Sequence, residues 1–234
     1  AATESVEREG GKALRFAFDF KGHGGHAAIK RPLPLSLPQN YEIALDVRGD
    51  APANDLQFKL VDASGDNVWW FRRRDFVFPK DWQRITFKKR QLEFAWGPTR
   101  ERDVVQAASI ELVIAAGKGG MGSVEFDNLT LRELPLPPST PPPLLASASA
   151  SLPDAGPELA LDGNIDTAWR AAAQVGKSET FTLDFGYSRE FGGLTLRWVP
   201  GAHAARYDVE LSEDGQSWHI ARSVAQSNGG NDAL

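Results

Sequence analysis

The chain of 234 residues has no cysteine and only one methionine, and none of its apolar runs approaches the roughly 20 residues of a membrane helix. Without cysteine there are no disulfides, no thiolate zinc sites and no thiol nucleophile. The net charge of -5 argues against a nucleic-acid partner, which needs a basic stripe to neutralise phosphates. Serine-elbow, zinc-helix and phosphate-loop motifs are also missing, so we assign no catalytic residue.

A proline-dense segment divides the chain. Residues 133–153 read ELPLPPSTPPPLLASASASLP, which predicts an extended segment that does not join a sheet. We therefore expect a first domain over 1–134, a linker over 135–150 and a second domain over 151–234. The start at AATE fits a trimmed, exported bacterial protein, and the end at NGGNDAL leads us to expect a second domain cut before its last strand.

Short alternating runs before the linker predict an antiparallel all-β sandwich. In ALRFAFDF, for example, every second residue from Leu14 to Phe20 is apolar, and the same holds from Leu56 to Leu60. These faces form the expected core. The opposite faces carry polar residues that we expect to share one sheet surface: Asp46, Arg48, Gln57, Lys59 and Glu111.

Two adjacent tryptophans carry the strongest functional signal of the first domain. Trp69 and Trp70 lie in NVWWFRRRDFVFP and must point to opposite faces of a regular strand, so at most one belongs to the core. An exposed indole beside Arg72 or Arg74, with Gln57 and Lys59 on a neighbouring strand, is typical of sugar recognition. Pyranose C–H faces stack on aromatic rings, and the hydroxyls need polar partners.

A second aromatic group lies in LEFAWGP, a loop-like segment. We expect Trp96 to form a wall of the same groove. The alternative for each of these tryptophans is core or edge packing, since large aromatic side chains usually pack in the interior.

Two ordered motifs after the linker carry a family resemblance. They are ALDGNIDTAW at 160–169 and VELSEDGQSWHI at 209–220. Together they resemble the coagulation factor 5/8 type C, or discoidin, family, and they cover about the last two-fifths of the chain. The resemblance implies a galactose-binding-like sandwich with a structural cation, for which Asp162 and Thr167 are the best calcium ligands. An Asx-rich turn held by its own hydrogen bonds is the alternative.

The same resemblance implies a sugar site in loops at one end of the sandwich. The candidates in RWVPGAHAARY are Trp198, His203 and Arg206. Trp169 and Trp218 match the family's core tryptophans and are assigned to packing.

The first domain, in its strand order and in WQRITF at 82–87, resembles the jelly-roll carbohydrate-binding modules of secreted glycoside hydrolases. In those modules an early glutamate and a late aspartate often share a structural calcium, which would implicate Glu9 and Asp127. Oxygen ligands suit that ion. A solvated turn residue and a strand cap are the alternatives.

These features predict a secreted, periplasmic or cell-surface bacterial protein with two β-sandwich domains. Its residues would bind carbohydrate without catalysis and would target a catalytic domain of the same polypeptide, such as a glycoside hydrolase, to polysaccharide. Membrane insertion is not expected. The alternative is a structural or adhesion module. A sugar platform should expose a flat aromatic beside arginines, whereas a spacer should bury every tryptophan.

Overall fold

The computed structural model describes residues 1–172 and 177–234. It divides the chain into two compact units, Ala1–Leu136 and Pro137–Leu234. Strands dominate both, and the two short 3-10 helices span Lys89–Gln91 and Pro157–Ala160. No helix in the described ranges is long and apolar enough to cross a membrane.

The first unit is a sandwich of two five-stranded antiparallel sheets. Sheet A has the strand order β1 (Ala2–Arg8), β2 (Gly11–Asp19), β10 (Met121–Glu133), β4 (Tyr41–Asp50), β7 (Gln83–Lys88). Sheet B has the order β3 (His26–Ser36), β9 (Gln106–Ala115), β5 (Asn54–Val61), β6 (Val68–Phe76), β8 (Glu93–Trp96). The all-β sandwich expected from the alternation is confirmed.

The core lies between the two sheets. Phe87 of sheet A is fully buried and contacts two rings of sheet B. It stacks on Phe71 at 4.3 Å between ring centres and meets Phe58 at 5.1 Å. Phe16 and Leu60 are likewise buried, as their alternating runs predict. Each strand therefore turns one face inward and leaves the other as an outer face of the sandwich.

The second unit consists of three small two-stranded antiparallel sheets. They pair β11 (Leu145–Ala148) with β12 (Phe181–Asp184), β13 (Thr195–Arg197) with β16 (Asn231–Ala233), and β14 (Tyr207–Leu211) with β15 (His219–Val224). Among the described residues of this unit, Ala155 is the only buried one. Its larger apolar side chains are half-buried or exposed.

Strand β11 corrects one expectation about the linker. Leu145–Ala148 falls within the segment expected to stay out of any sheet, yet it pairs in register with β12. No proline lies between Pro143 and Pro153, so each residue of Leu145–Ala148 has the backbone N–H that a ladder requires.

Candidate functional site

The outer face of sheet B collects most of the predicted sugar-binding residues. Across β5 and β6, Lys59 lies opposite Trp70, and Gln57 lies opposite Arg72. Strand β8 pairs with β6 and adds Trp96 at its end. We call these five residues the platform. Trp96 therefore belongs to a strand, which corrects the expected loop.

The two indoles of the platform meet edge to face. The ring centres of Trp70 and Trp96 are 5.6 Å apart and their planes cross at 88°. Trp96 is 46% exposed, while Trp70 is half-buried. Each ring has a cation near it: the Lys59 ammonium is 5.0 Å from the centre of Trp96, and the Arg72 guanidinium carbon is 5.3 Å from the centre of Trp70. An accessible aromatic surface thus stands beside polar groups.

A neighbouring turn holds Trp96 in place. Asn67, at the end of the β5–β6 turn, is buried and accepts a hydrogen bond from the Thr99 N–H at 2.9 Å. Its amide nitrogen donates to Asp62 at 2.6 Å. Gly97, directly after Trp96, has a φ of 136° and lies so close that a Cβ would be 2.7 Å from the Asn67 Cα. Only glycine suits that position, so the turn fixes the backbone from which Trp96 projects.

The floor of the platform is buried and polar. Gln57 is 7% exposed and Lys59 is 9% exposed, although both belong to the outer face of the sheet. Burial lowers the pKa of Lys59, and the negative charge of Glu111 opposes this shift. Buried polar groups normally have hydrogen-bond partners in the protein, so a polar floor of this kind is unusual outside a binding cleft.

Arg72 is fixed by a carboxylate that the sequence analysis did not single out. Its Nε donates to Asp55 at 3.1 Å, and the other oxygen of Asp55 accepts the Asp75 N–H at 3.1 Å. Asp55 lies two residues before Gln57 on β5, so the alternation of that strand was the available signal. The pair holds the guanidinium against the Trp70 ring.

Two predicted platform residues lie elsewhere. Trp69 is 4% exposed and its indole N–H donates to the Arg102 carbonyl at 2.8 Å, so it is a core residue and its assignment to sugar binding is wrong. The opposite orientation of Trp69 and Trp70 is confirmed. Arg74 is exposed beyond a register shift between β5 and β6, where Asp75 adopts a φ of 47°. The broken alternation explains why Arg74 does not follow Trp70 and Arg72 onto the platform.

Asp46 and Arg48 lie on sheet A, which corrects the expectation that they share a surface with Gln57. On that outer face, Arg8 donates to Asp46 at 2.9 Å and to Asp127 at 2.8 Å. The positive group beside Asp127 is therefore the guanidinium of Arg8. The next residue in the chain, the predicted calcium ligand Glu9, is exposed. The expected pairing of Glu9 with Asp127 is not seen.

Further arginines complete this network on sheet A. Glu125 is 6% exposed and accepts hydrogen bonds from Arg15 at 2.9 Å and Arg48 at 2.7 Å. Burial alone would raise the pKa of Glu125, but these bonds outweigh it and the pKa is lowered. The guanidinium carbons of Arg8 and Arg48 lie 4.0 Å and 4.8 Å from the centre of the Trp82 ring. Ion pairs between arginines and carboxylates thus link the strands on the outer face of sheet A.

In the second unit, the predicted cation loop forms a hydrogen-bonded turn. Asp162 accepts the Thr167 hydroxyl at 2.6 Å and the Asn164 N–H at 2.8 Å, and these bonds lower its pKa. Asn164 in turn accepts the Asp166 N–H at 3.0 Å. Over residues 1–172 and 177–234, no three His, Asp or Glu side chains are grouped so as to hold a metal ion. The donor set fits the Asx turn without a cation, and calcium stays a prediction.

One predicted sugar residue of the second unit, Trp198, bonds to a carboxylate that was not predicted, Asp232. One oxygen of Asp232 accepts the Trp198 indole N–H and the Tyr207 hydroxyl, both at 2.7 Å. These bonds lower the pKa of Asp232, and burial together with the bond raises the pKa of Tyr207 to about 12. His203 also lies within electrostatic reach of Asp232, whereas Arg206 is exposed. The N–H of Trp198 is thus used within the protein.

The two tryptophans assigned to packing in the second unit differ. Trp169 is half-buried, contacts Phe181 at 5.1 Å between ring centres and donates to Ser151 at 3.1 Å. Trp218 is 47% exposed, so its assignment to the core is wrong in this structure. It follows the Ser212–Ser217 turn, whose Asp214 accepts two backbone N–H groups.

One family model matches the second part of the chain. Residues 146–233 match the model of the F5/8 type C domain, which confirms the resemblance carried by its two motifs. No curated protein sequence matches the chain.

Several solved structures are similar to the chain at low identity. The family 11 carbohydrate-binding module of the cellulosomal cellulase Lic26A-Cel5E of Clostridium thermocellum is 16% identical, with a TM-score of 0.45, over 57% of this chain and 81% of that one. TmCBM61 in complex with β-1,4-galactotriose is 13% identical, with a TM-score of 0.34, over 57% of this chain and 83% of that one. Neither similarity is strong enough to assign a ligand to this chain.

Proposed function

We propose that the first unit binds polysaccharide on the platform, and that these 234 residues are a non-catalytic targeting region of a larger secreted carbohydrate-active protein. The observation that carries the proposal is an exposed Trp96 next to a half-buried Trp70, above a floor of buried polar side chains. An aromatic surface with a few convergent polar groups is the usual chemistry of a sugar site.

Each part of the platform has a role in this proposal. Trp96 offers a ring for the C–H face of a pyranose, and Trp70 supports it from the side. Gln57 can both donate and accept hydrogen bonds, as sugar hydroxyls do. Arg72 is held in position by Asp55 and presents its remaining N–H groups to the ligand. The same groups would have little purpose in a spacer, which should bury its tryptophans.

The second unit has its own place in the proposal. As a neighbouring F5/8 type C domain, it would supply a further weak glycan site through Trp198, His203 or Arg206. Two linked sites raise the apparent affinity for a polymer when both can engage. A structural calcium at Asp162 and Thr167, export from the cell and a catalytic domain in the same polypeptide belong to this proposal as well.

The test is affinity electrophoresis and calorimetry against a panel of soluble polysaccharides. The wild-type protein should bind at least one of them, and Trp96→Ala should weaken binding about ten-fold or more, as loss of a central aromatic contact does. Trp70→Ala should act in the same direction. Trp218→Ala is the matched control, because Trp218 is 47% exposed and Trp96 is 46% exposed.

Binding that survives both platform substitutions would contradict the proposal. If binding is lost only in Trp218→Ala, the sugar site belongs to the second unit. If the folded wild-type protein binds no polysaccharide, the result would favour the alternative, a structural spacer, over a sugar-binding module.

A further inference from the structure

Two ion pairs lie on the outer face of sheet B beside the platform. The Lys30 ammonium is 3.6 Å from Glu111, and Arg72 is 3.1 Å from Asp55. Lys59 lies directly between these pairs, opposite both Glu111 and Trp70. Over the part of the chain that the structure describes, no carboxylate oxygen lies within 4 Å of its ammonium, and its one close partner is the Trp96 ring.

This unpaired ammonium is also the most buried cation of the first unit's surface. Lys59 is 9% exposed, whereas the Lys30 side chain is 55% exposed. Removing a charge from water is costly unless an opposite charge compensates it. The lowered pKa of Lys59 records that cost. A lysine that served only to solubilise the sheet would extend into water, as Lys30 does.

The ammonium nevertheless keeps an opening to solvent. Among the described residues, the only buried side-chain polar atom that is both sealed from water and without a partner is the Tyr41 hydroxyl. Within residues 1–172 and 177–234, the side chains of Lys59 and its neighbour Gln57 make no hydrogen bond, so their polar atoms must retain contact with solvent at the platform. Both residues are more than nine-tenths buried and lie two positions apart on the same face of β5.

From this geometry we infer that the platform selects an acidic polysaccharide, whose sugar ring stacks on Trp96 and whose carboxylate or sulfate ester pairs with the Lys59 ammonium. The inference rests on the proposed function and adds the class of ligand. With the ammonium 5.0 Å from the centre of the indole, a stacked sugar has its ring substituents beside Lys59. Gln57 lies on the same face of β5 and can bond an adjacent hydroxyl.

The overall charge of the protein does not favour this ligand. The chain carries a net charge of -5, so long-range electrostatics would repel an acidic polymer. A preference for an acidic sugar would therefore have to come from a local contact, such as the one with the Lys59 ammonium. Among the other carboxylates near the platform, Glu111 and Asp55 are engaged by Lys30 and Arg72, while the exposed Glu93 lies opposite Trp70 on β8 and adds a local negative charge.

The experiment compares three polymers of similar length: polygalacturonate, a sulfated galactan and an uncharged galactan. Affinities of the wild-type protein are measured by calorimetry at fixed ionic strength. We expect one acidic polymer to bind roughly ten-fold or more tightly than the uncharged one, since a hydrogen bond to a charged group is worth about that ratio. Comparison of the two acidic polymers distinguishes a carboxylate from a sulfate ester.

Three variants test the contact. Lys59→Met should abolish the preference for the acidic polymer, so that the acidic and uncharged polymers bind with equal affinity. Its melting temperature should stay equal or rise, because an apolar side chain replaces a buried ammonium. Lys59→Arg should keep the preference, and Lys30→Met is the matched control that should also keep it.

The outcomes separate this inference from the proposed function. Equal affinity for all three polymers, or an acidic preference that persists in Lys59→Met, would overturn the acidic specificity while leaving the platform a sugar site. Failure of every polymer to bind, or acidic binding that survives Trp96→Ala, would overturn both.

Discussion

The position of Trp96 depends on Gly97, and Gly97→Ala should show this directly. The φ of 136° is one that residues with a Cβ rarely adopt, which costs about 1–3 kcal/mol. The added methyl would also lie 2.7 Å from the Asn67 Cα and 2.8 Å from the Asp66 carbonyl oxygen. Those neighbours are backbone atoms, so relief requires the chain itself to move, at a further cost of about 1–3 kcal/mol.

The expected loss for Gly97→Ala is therefore about 2–6 kcal/mol, or about 10–20 °C in the melting temperature of the first unit. Gly65→Ala is the matched control. It lies in the same turn region with a φ of 81°, but its Cβ would meet nothing within 4 Å. It should lose only the backbone strain, about 1–2 kcal/mol.

Urea unfolding measures both variants, and circular dichroism reports the geometry of the indoles. Two rings 5.6 Å apart at 88° should give an exciton band, which Trp96→Ala removes. Gly97→Ala should weaken this band and Gly65→Ala should not. If the two alanine variants are equally stable and keep the band, the turn does not position Trp96 and our account of the platform is wrong.

Other perturbations test the fold that supports the platform. Tyr41→Phe should raise the stability at neutral pH by about 1 kcal/mol, because the buried Tyr41 hydroxyl has no partner in the described structure. Burial also raises the pKa of Tyr41 to about 12, so the wild-type protein should lose stability as the pH rises above 10, and the variant should lack that loss. Asn54→Ala removes four hydrogen bonds of a fully buried amide to Pro52, Gly117 and Gly119, and should cost about 2–6 kcal/mol in urea unfolding. Asn40→Ala removes one solvent-exposed hydrogen bond of a half-buried residue and should cost about 1 kcal/mol or less. Because the pKa of Glu125 is lowered in the folded protein, ionised Glu125 stabilises the fold above pH 4.5, its ordinary pKa, and this stabilisation is lost as the pH falls. In Glu125→Gln, the free energy of unfolding should therefore depend less on pH in the acid range.

Alternation along a strand predicted which side chains point inward. Phe16, Leu60 and Trp69 are buried and Trp70 is not, as a period of two requires. The same pattern could not say which strands share a sheet. Asp46 and Gln57 belong to neighbouring strands in the sequence, yet these strands lie in different sheets. Strand order depends on long-range pairing, which is not encoded in any single run of residues.

Three other features could not be predicted from the sequence because they depend on which residues become neighbours in the fold. The WGP sequence after Phe94 favoured a loop, but the edge of β6 accepts Glu93–Trp96 as a strand. Asp232 became important only because Trp198 and Tyr207 converge on it from other strands. The buried state of Lys59 likewise depends on the neighbouring Trp96 ring, which lies 37 positions later in the sequence. Such contacts follow from topology.

Asp127, one of the two predicted calcium ligands of the first domain, has an arginine as its partner. A guanidinium carries one positive charge and five donors in a plane, so Arg8 can bridge Asp46 and Asp127 at 2.9 Å and 2.8 Å. The family resemblance implies a calcium ion shared by Glu9 and Asp127, and that ion stays a prediction. The adjacent Arg8 satisfies Asp127 without an added cation. Mutation of Arg8 would leave Asp46 with Arg84 and Asn128 but Asp127 without its guanidinium.

The two outer faces of the sandwich differ in a way that bears on which one binds a ligand. On sheet A, Glu125 and Asp46 are buried, and each is bonded to two arginines. Such a network stabilises the protein only when every member has its partner, and a ligand that took one arginine would leave a buried carboxylate unpaired. On sheet B, Lys59 and Gln57 bear the cost of burial without a partner in the described structure. Apolar residues at positions 57 and 59 would make the folded protein at least as stable, because no hydrogen bond or ion pair of these side chains would be lost. Lys59 and Gln57 beside the exposed indole of Trp96 therefore contribute favourable free energy only when a ligand binds to them.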